Sequence, residues 1–95
     1  MDGGANGFMS SDPAVNPFSS WTKAHVNYCD GGSYAGNTTV APLHYRGTVI
    51  VEQTIAVMLR MGLASAQRLI VTGCSAGGIA VYLHIDRIRQ LVRPR

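Results

Sequence analysis

Arg68-Leu69-Ile70-Val71-Thr72-Gly73-Cys74-Ser75-Ala76-Gly77-Gly78 runs from a short apolar, β-branched stretch straight into glycines set around one serine. The stretch has no polar alternation, as expected of a strand covered on both faces. It ends at Gly73, and beyond Ala76 a helical period takes over in Val81, Ile85, Ile88 and Val92, with Pro94 as the stop. Strand, tight turn and helix therefore follow one another within a few residues. Upstream, Val51, Ile55, Met58 and Leu59 recur at helical spacing, and Gly62 stands where a C-terminal cap belongs, which predicts an amphipathic helix over 48–61. Earlier still, residues 24–29 alternate apolar with polar side chains before the turn cluster Asp30-Gly31-Gly32-Ser33, which predicts a strand ending at Cys29 or Asp30. Between Gly36 and Pro42 nothing periodic occurs, and a loop is expected. The order strand, helix, strand, helix predicts an α/β fold with a parallel sheet. Two covered strands do not make a stable sheet, so the expectation is a segment of a larger α/β domain.

The 95 residues bound this further. They hold at most one domain, with a modest core. The composition, 46% hydrophobic and 14% charged, disfavours intrinsic disorder. The longest apolar run, Ile79-Ala80-Val81-Tyr82-Leu83, is far short of the ~20 residues of a membrane-crossing helix, so no membrane span is expected. Residues 1–20, rich in Gly, Ser, Asn, Asp and Pro, read as a loop-rich lead-in to a partial domain over 21–95. That lead-in lacks the basic start and apolar block of a secretory signal. The formal charge of +3 is concentrated in Arg87, Arg89, Arg93 and Arg95, which fits a solvated helix end better than a nucleic-acid surface. Cys29 and Cys74 have no metal or redox spacing, and neither a metal nor a cofactor motif is present.

Gly73-Cys74-Ser75-Ala76-Gly77 satisfies G-x-S-x-G, the nucleophile elbow. Holding a serine in a strained turn brings neighbouring backbone close together, so the residues two before and two after it must be small. Ser75 is the candidate nucleophile, with the Ala76 amide at the helix start as one oxyanion donor and Gly73, Gly77 and Gly78 as the elbow glycines. A chance match is expected about once in ten chains of this composition, and the predicted strand-to-helix context narrows it. Phosphate binding is disfavoured, because no lysine follows the glycines and G-x-G-x-x-G is not met.

Four segments in order carry a family resemblance: Tyr28-Cys29-Asp30-Gly31-Gly32-Ser33, Leu43-His44-Tyr45-Arg46-Gly47, Gly73-Cys74-Ser75-Ala76-Gly77-Gly78 and Leu83-His84-Ile85-Asp86-Arg87. Together with the lead-in from Ser11 to Pro17 and Trp21, they resemble the pectin acetylesterase family, which is related to the Notum carboxylesterases. The resemblance covers residues 7–93. It implies an α/β-hydrolase-like fold, a secreted or cell-wall setting, and hydrolysis of O-acetyl esters on a pectin-like polysaccharide by a Ser-Asp-His triad that needs no cofactor. By motif match Ser75 is the nucleophile and Ala76 an oxyanion donor. The family's glycine- and tryptophan-rich oxyanion loop has no counterpart in Gly3-Gly4, and its triad Asp and His fall beyond Arg95.

His84 lies nine residues past Ser75, roughly 13 Å along the helix, so it is expected to pack against the sheet rather than act as base. His44 in a loop and His25 in a strand read as structural or surface residues. Asp30, with Gly31 and Gly32, either organises a pocket at a strand end or simply forms the turn. Cys29 and Cys74 fall at adjacent strand ends, which permits a disulfide or two buried free thiols. Two functions remain: a serine ester hydrolase, or a non-catalytic fragment or degenerate relative without the triad Asp and His.

Overall fold

The computed structural model describes residues 7–93. The start of the lead-in and Pro94, the expected helix stop, lie outside them. Two helices dominate: α1 spans Gly47–Arg60 and α2 spans Ala76–Val92. The expected first helix is therefore offset by one residue. It ends where Gly62 takes φ 123°, a conformation that side chains with a Cβ rarely adopt. Arg93, at φ 44° and ψ 67°, closes α2 by donating its N–H to the Arg89 carbonyl.

The helices meet along one seam. Ile55 of α1 and Ile88 and Val92 of α2 are buried together, flanked by Val51, Met58, Leu59, Leu63 and Leu91. Leu69 and Val71 pack against the same cluster from the connecting segment, while Ile70 between them is exposed.

The parallel sheet expected from the sequence is not formed among the described residues, and the strand-helix-strand-helix order is corrected accordingly. Residues 68–72 have no regular structure, although Leu69 and Val71 face one way and Ile70 the other, as along a strand. A strand is defined by its ladder, and among the described residues no backbone pairs with this segment to complete one. Residues 24–29 likewise form no strand and are exposed throughout. The carbonyls of Val26 and Asn27 accept from the Tyr34 hydroxyl instead, at 3.4 and 2.8 Å.

The sheet that does form lies in the expected loop. β1 (Thr38–Val40) pairs antiparallel with β2 (Leu43–Tyr45) in the register Thr38 to Tyr45, Thr39 to His44 and Val40 to Leu43. Three residues per strand are too few for periodicity to register. The β-branched Thr38, Thr39 and Val40 and the two-residue Ala41-Pro42 connection supply the physical cause. The architecture is thus a small α/β arrangement of two packed helices and one hairpin.

The lead-in is built as well. Asn16, almost fully buried, donates through Nδ2 to the carbonyls of Phe8 and Ser10, and its Oδ1 accepts the Phe18 N–H. Phe18 packs edge-on against Trp21 with ring centroids 4.9 Å apart and stacks with Phe8 at 5.7 Å. No helix among the described residues is long and apolar enough to cross a membrane.

Candidate active site

Ser75 occupies the N-cap of α2 at φ 55° and ψ −121°. A serine holds this left-handed backbone only where its surroundings enforce it. They do so here by a tight turn: the Gly77 N–H donates to the Cys74 carbonyl at 3.0 Å, and the Ile79 N–H to the Ser75 carbonyl at 3.1 Å. The Ser75 side chain is exposed. Ala76 opens the helix, and its N–H takes no acceptor among the described residues. An exposed hydroxyl thus stands beside an uncommitted N–H at the positive end of a helix of 17 residues.

The glycines of the turn are not equivalent. A Cβ on Gly73 would overlap the carbonyl group of Gly77 and come within 2.8 Å of the Gly78 nitrogen. A Cβ on Gly78 would sit 3.3 Å from the Gly73 carbonyl oxygen, which is tight, whereas one on Gly77 meets nothing within 4 Å. The steric requirement read from the spacing falls on Gly73, and in this structure Gly77 does not share it.

Asp30 is buried, and its carboxylate gathers the turn that follows. Oδ2 accepts the Gly32 N–H at 2.8 Å and the Tyr34 N–H at 2.9 Å. Gly31, Ser33 and Tyr34 all have positive φ, at 75°, 56° and 57°. The turn-forming role of Asp30 is therefore visible in its bonds; Gly31 supplies the backbone freedom, while a Cβ on Gly32 would sit 3.2 Å from Asp30 Oδ2. Asp30 Oδ1 is buried with no hydrogen-bond partner among the described residues. Burial, with smaller repulsion from Cys29, Tyr28 and Asp30, raises the Tyr34 hydroxyl above its ordinary pKa of 10.0.

The structure brings none of the three histidines to Ser75 by a hydrogen bond. His44 Nδ1 is paired with Thr39 Oγ1 at 3.0 Å, and His25 is exposed. His84 is bonded to the Tyr34 carbonyl, a tertiary contact across 50 positions that no local sequence signal announces. Cys29 and Cys74 are free and exposed, so the thiols are neither bonded nor buried. Among the described residues no cluster of His, Cys, Asp or Glu could hold a metal ion. Two surface recesses are lined respectively by Asp86, Arg89, Gln90 and Arg93, and by Leu69, Val71, Ile85, Ile88, Arg89 and Val92. Neither lining includes Ser75.

A strained serine between a glycine turn and a helix defines the kind of site on which acyl-transfer enzymes are built. Comparison with known proteins gives the family: the pectinacetylesterase family profile matches residues 2–95, and the chain belongs to that family. It is 43% identical over 90 residues to pectin acetylesterase 5 of Arabidopsis thaliana, covering 88% of this chain and 21% of that protein. Pectin acetylesterase 4 of the same plant is 38% identical over 90 residues, with 88% and 22% covered. The human palmitoleoyl-protein carboxylesterase NOTUM is 30% identical over 90 residues, with 88% and 18% covered. The chain thus spans about a fifth of the length of these relatives. No solved structure matches it.

Proposed function

We propose that this chain is the nucleophile-bearing part of a serine ester hydrolase that removes acetyl groups from a pectin-like cell-wall polysaccharide, in a secreted or cell-wall setting. The observation that carries the reading is the left-handed, exposed Ser75 at the head of α2 within G-x-S-x-G. Ser75 Oγ attacks the acetyl carbonyl carbon while its proton passes to a general base. The tetrahedral oxyanion lies against the Ala76 N–H, and its collapse expels the sugar alkoxide, which takes up the proton. Water then attacks the acetyl-Ser75 ester, releasing acetate and restoring the hydroxyl. The base and its carboxylate partner come from the remainder of the whole protein, because no histidine among the described residues is hydrogen-bonded to Ser75. Serine ester hydrolysis of this kind needs no cofactor.

Ser75→Ala in the whole protein is expected to lower acetate release from acetylated pectin by at least about a thousandfold, leaving what binding and the oxyanion site supply. Cys74→Ser should change it by less than about tenfold, and full activity in Ser75→Ala would overturn the assignment. The absence of a histidine bonded to Ser75 favours a second reading for the 95 residues alone, that of a non-catalytic fragment. An organophosphonate probe, followed by mass spectrometry of the Ser75 peptide, separates the two. Labelling of the whole protein with little labelling of the 95-residue chain is the expected result. Equal labelling would mean that the chain supplies its own base.

A further inference from the structure

The Tyr34 peptide is held from three sides. Its N–H donates to Asp30 Oδ2, its carbonyl accepts from His84 Nε2 at 2.5 Å, and Gly47 at the start of α1 lies so close that a Cβ there would overlap Tyr34 backbone. A carbonyl oxygen only accepts, so its partner assigns the proton of His84 to Nε2. Among the described residues this is the one hydrogen bond between residues 28–36 and α2. A tyrosine at φ 57° needs such enforcement.

The clamp fixes a second ring. Tyr28 packs against Tyr34 with centroids 5.2 Å apart, and its hydroxyl accepts the Ser33 N–H at 2.9 Å. Although anchored at both places, Tyr28 remains 50% exposed. A rigid, half-exposed aromatic face costs little to order on binding, and the apolar C–H face of a sugar ring stacks on such a surface. The anchor residue His84 lies on the helix that Ser75 heads, roughly 13 Å along its axis from the elbow, so the segment is tied to the same element as the serine.

We propose that residues 28–36, locked to the nucleophile helix by His84, present Tyr28 as a stacking platform for the sugar chain that carries the ester. His84 is then a positioning residue and Tyr28 a binding residue. The proposal rests on the esterase reading for the identity of the polymer, and its test therefore reads binding as well as turnover. In the whole protein, Tyr28→Ala and His84→Ala are compared with Tyr28→Phe, which keeps the aromatic face, and His84→Gln, which keeps a donor near the Nε2 position. Calorimetric Kd for de-esterified pectin oligomers and KM for acetylated pectin should each rise about tenfold in the two alanine variants. The rise in KM should be at least about fivefold larger for the polymer than for an aryl acetate, and the conservative variants should recover most of the loss. Equal losses on polymer and aryl acetate, oligomer Kd values unmoved by Tyr28→Ala, or failure of His84→Gln to rescue would overturn it. Oligomer binding that weakens as expected in a protein releasing no acetate would uphold the platform and sink the esterase reading alone.

Discussion

At the scale of single residues, two glycines separate what a motif spells from what a backbone requires. In G-x-S-x-G the glycines on either side of the serine look symmetric, but only Gly73 faces another backbone segment where its Cβ would be. Gly73→Ala is accordingly expected to force the turn open at a cost of about 3 kcal/mol, the upper end of overpacking, and to abolish phosphonate labelling of Ser75. Gly77→Ala adds a methyl group into open space at the start of a helix and should shift stability by less than about 1 kcal/mol. Thermal melts of both variants, read beside the labelling, check the asymmetry. Equal damage from both would show that the Gly77 Cβ position is occupied in the whole protein. The left-handed Ser75 was legible in the sequence because a serine flanked by small residues at this spacing marks a tight strand-to-helix turn, of which Gly73 carries the steric part here.

At the scale of elements, the 30–34 turn is held by one carboxylate. Asp30→Ala leaves the Gly32 and Tyr34 N–H groups without their acceptor and should cost about 2 kcal/mol. Hydrogen exchange at the Tyr34 amide should accelerate in proportion, and unchanged protection would count against the assignment. Tyr34 adds a pH dependence. Its folded-state pKa is raised, first by burial, so the folded state keeps the phenol proton where the unfolded chain has begun to lose it. Stability is then fully present below the ordinary value of 10.0 and is lost as pH rises from there through the folded pKa, with no effect near neutrality. Denaturant titrations of the whole protein from pH 8 to 11 should show a decline that is smaller in Tyr34→Phe. The turn itself was legible from Asp30-Gly31-Gly32-Ser33, but the His84 bond that secures it joins residues 50 positions apart and leaves no local trace.

At the scale of the whole molecule, the helices share a small seam while much apolar surface faces outward. Ile70, Ile79, Leu83 and Tyr82 are all exposed, the last at 88%. Residues 68–72 present strand-like alternation with no ladder to either side among the described residues. Expressed alone, residues 1–95 should therefore bind a hydrophobic dye, melt without cooperativity and give poorly dispersed amide signals. A sharp cooperative melt with dispersed resonances would show that the two-helix seam suffices.

The sequence by itself determined the two helices, because a period of 3.6 is a local property that burial of one face merely rewards. It also determined the strained Ser75, since small residues at fixed spacing around a serine constrain only nearby backbone. Whether residues 24–29 and 68–72 become strands was not theirs to decide. Strand character lies in hydrogen bonds to another segment, and here Val26 and Asn27 gave their carbonyls to a tyrosine hydroxyl while Leu69 and Val71 packed on helices without a ladder. The hairpin Thr38–Tyr45 formed for the converse reason: its partner strand stands two residues away, so three residues on each side sufficed. Only the tertiary structure joined His84 to Tyr34 and so registered the 28–36 segment against α2, because a contact between distant segments depends on where both are packed.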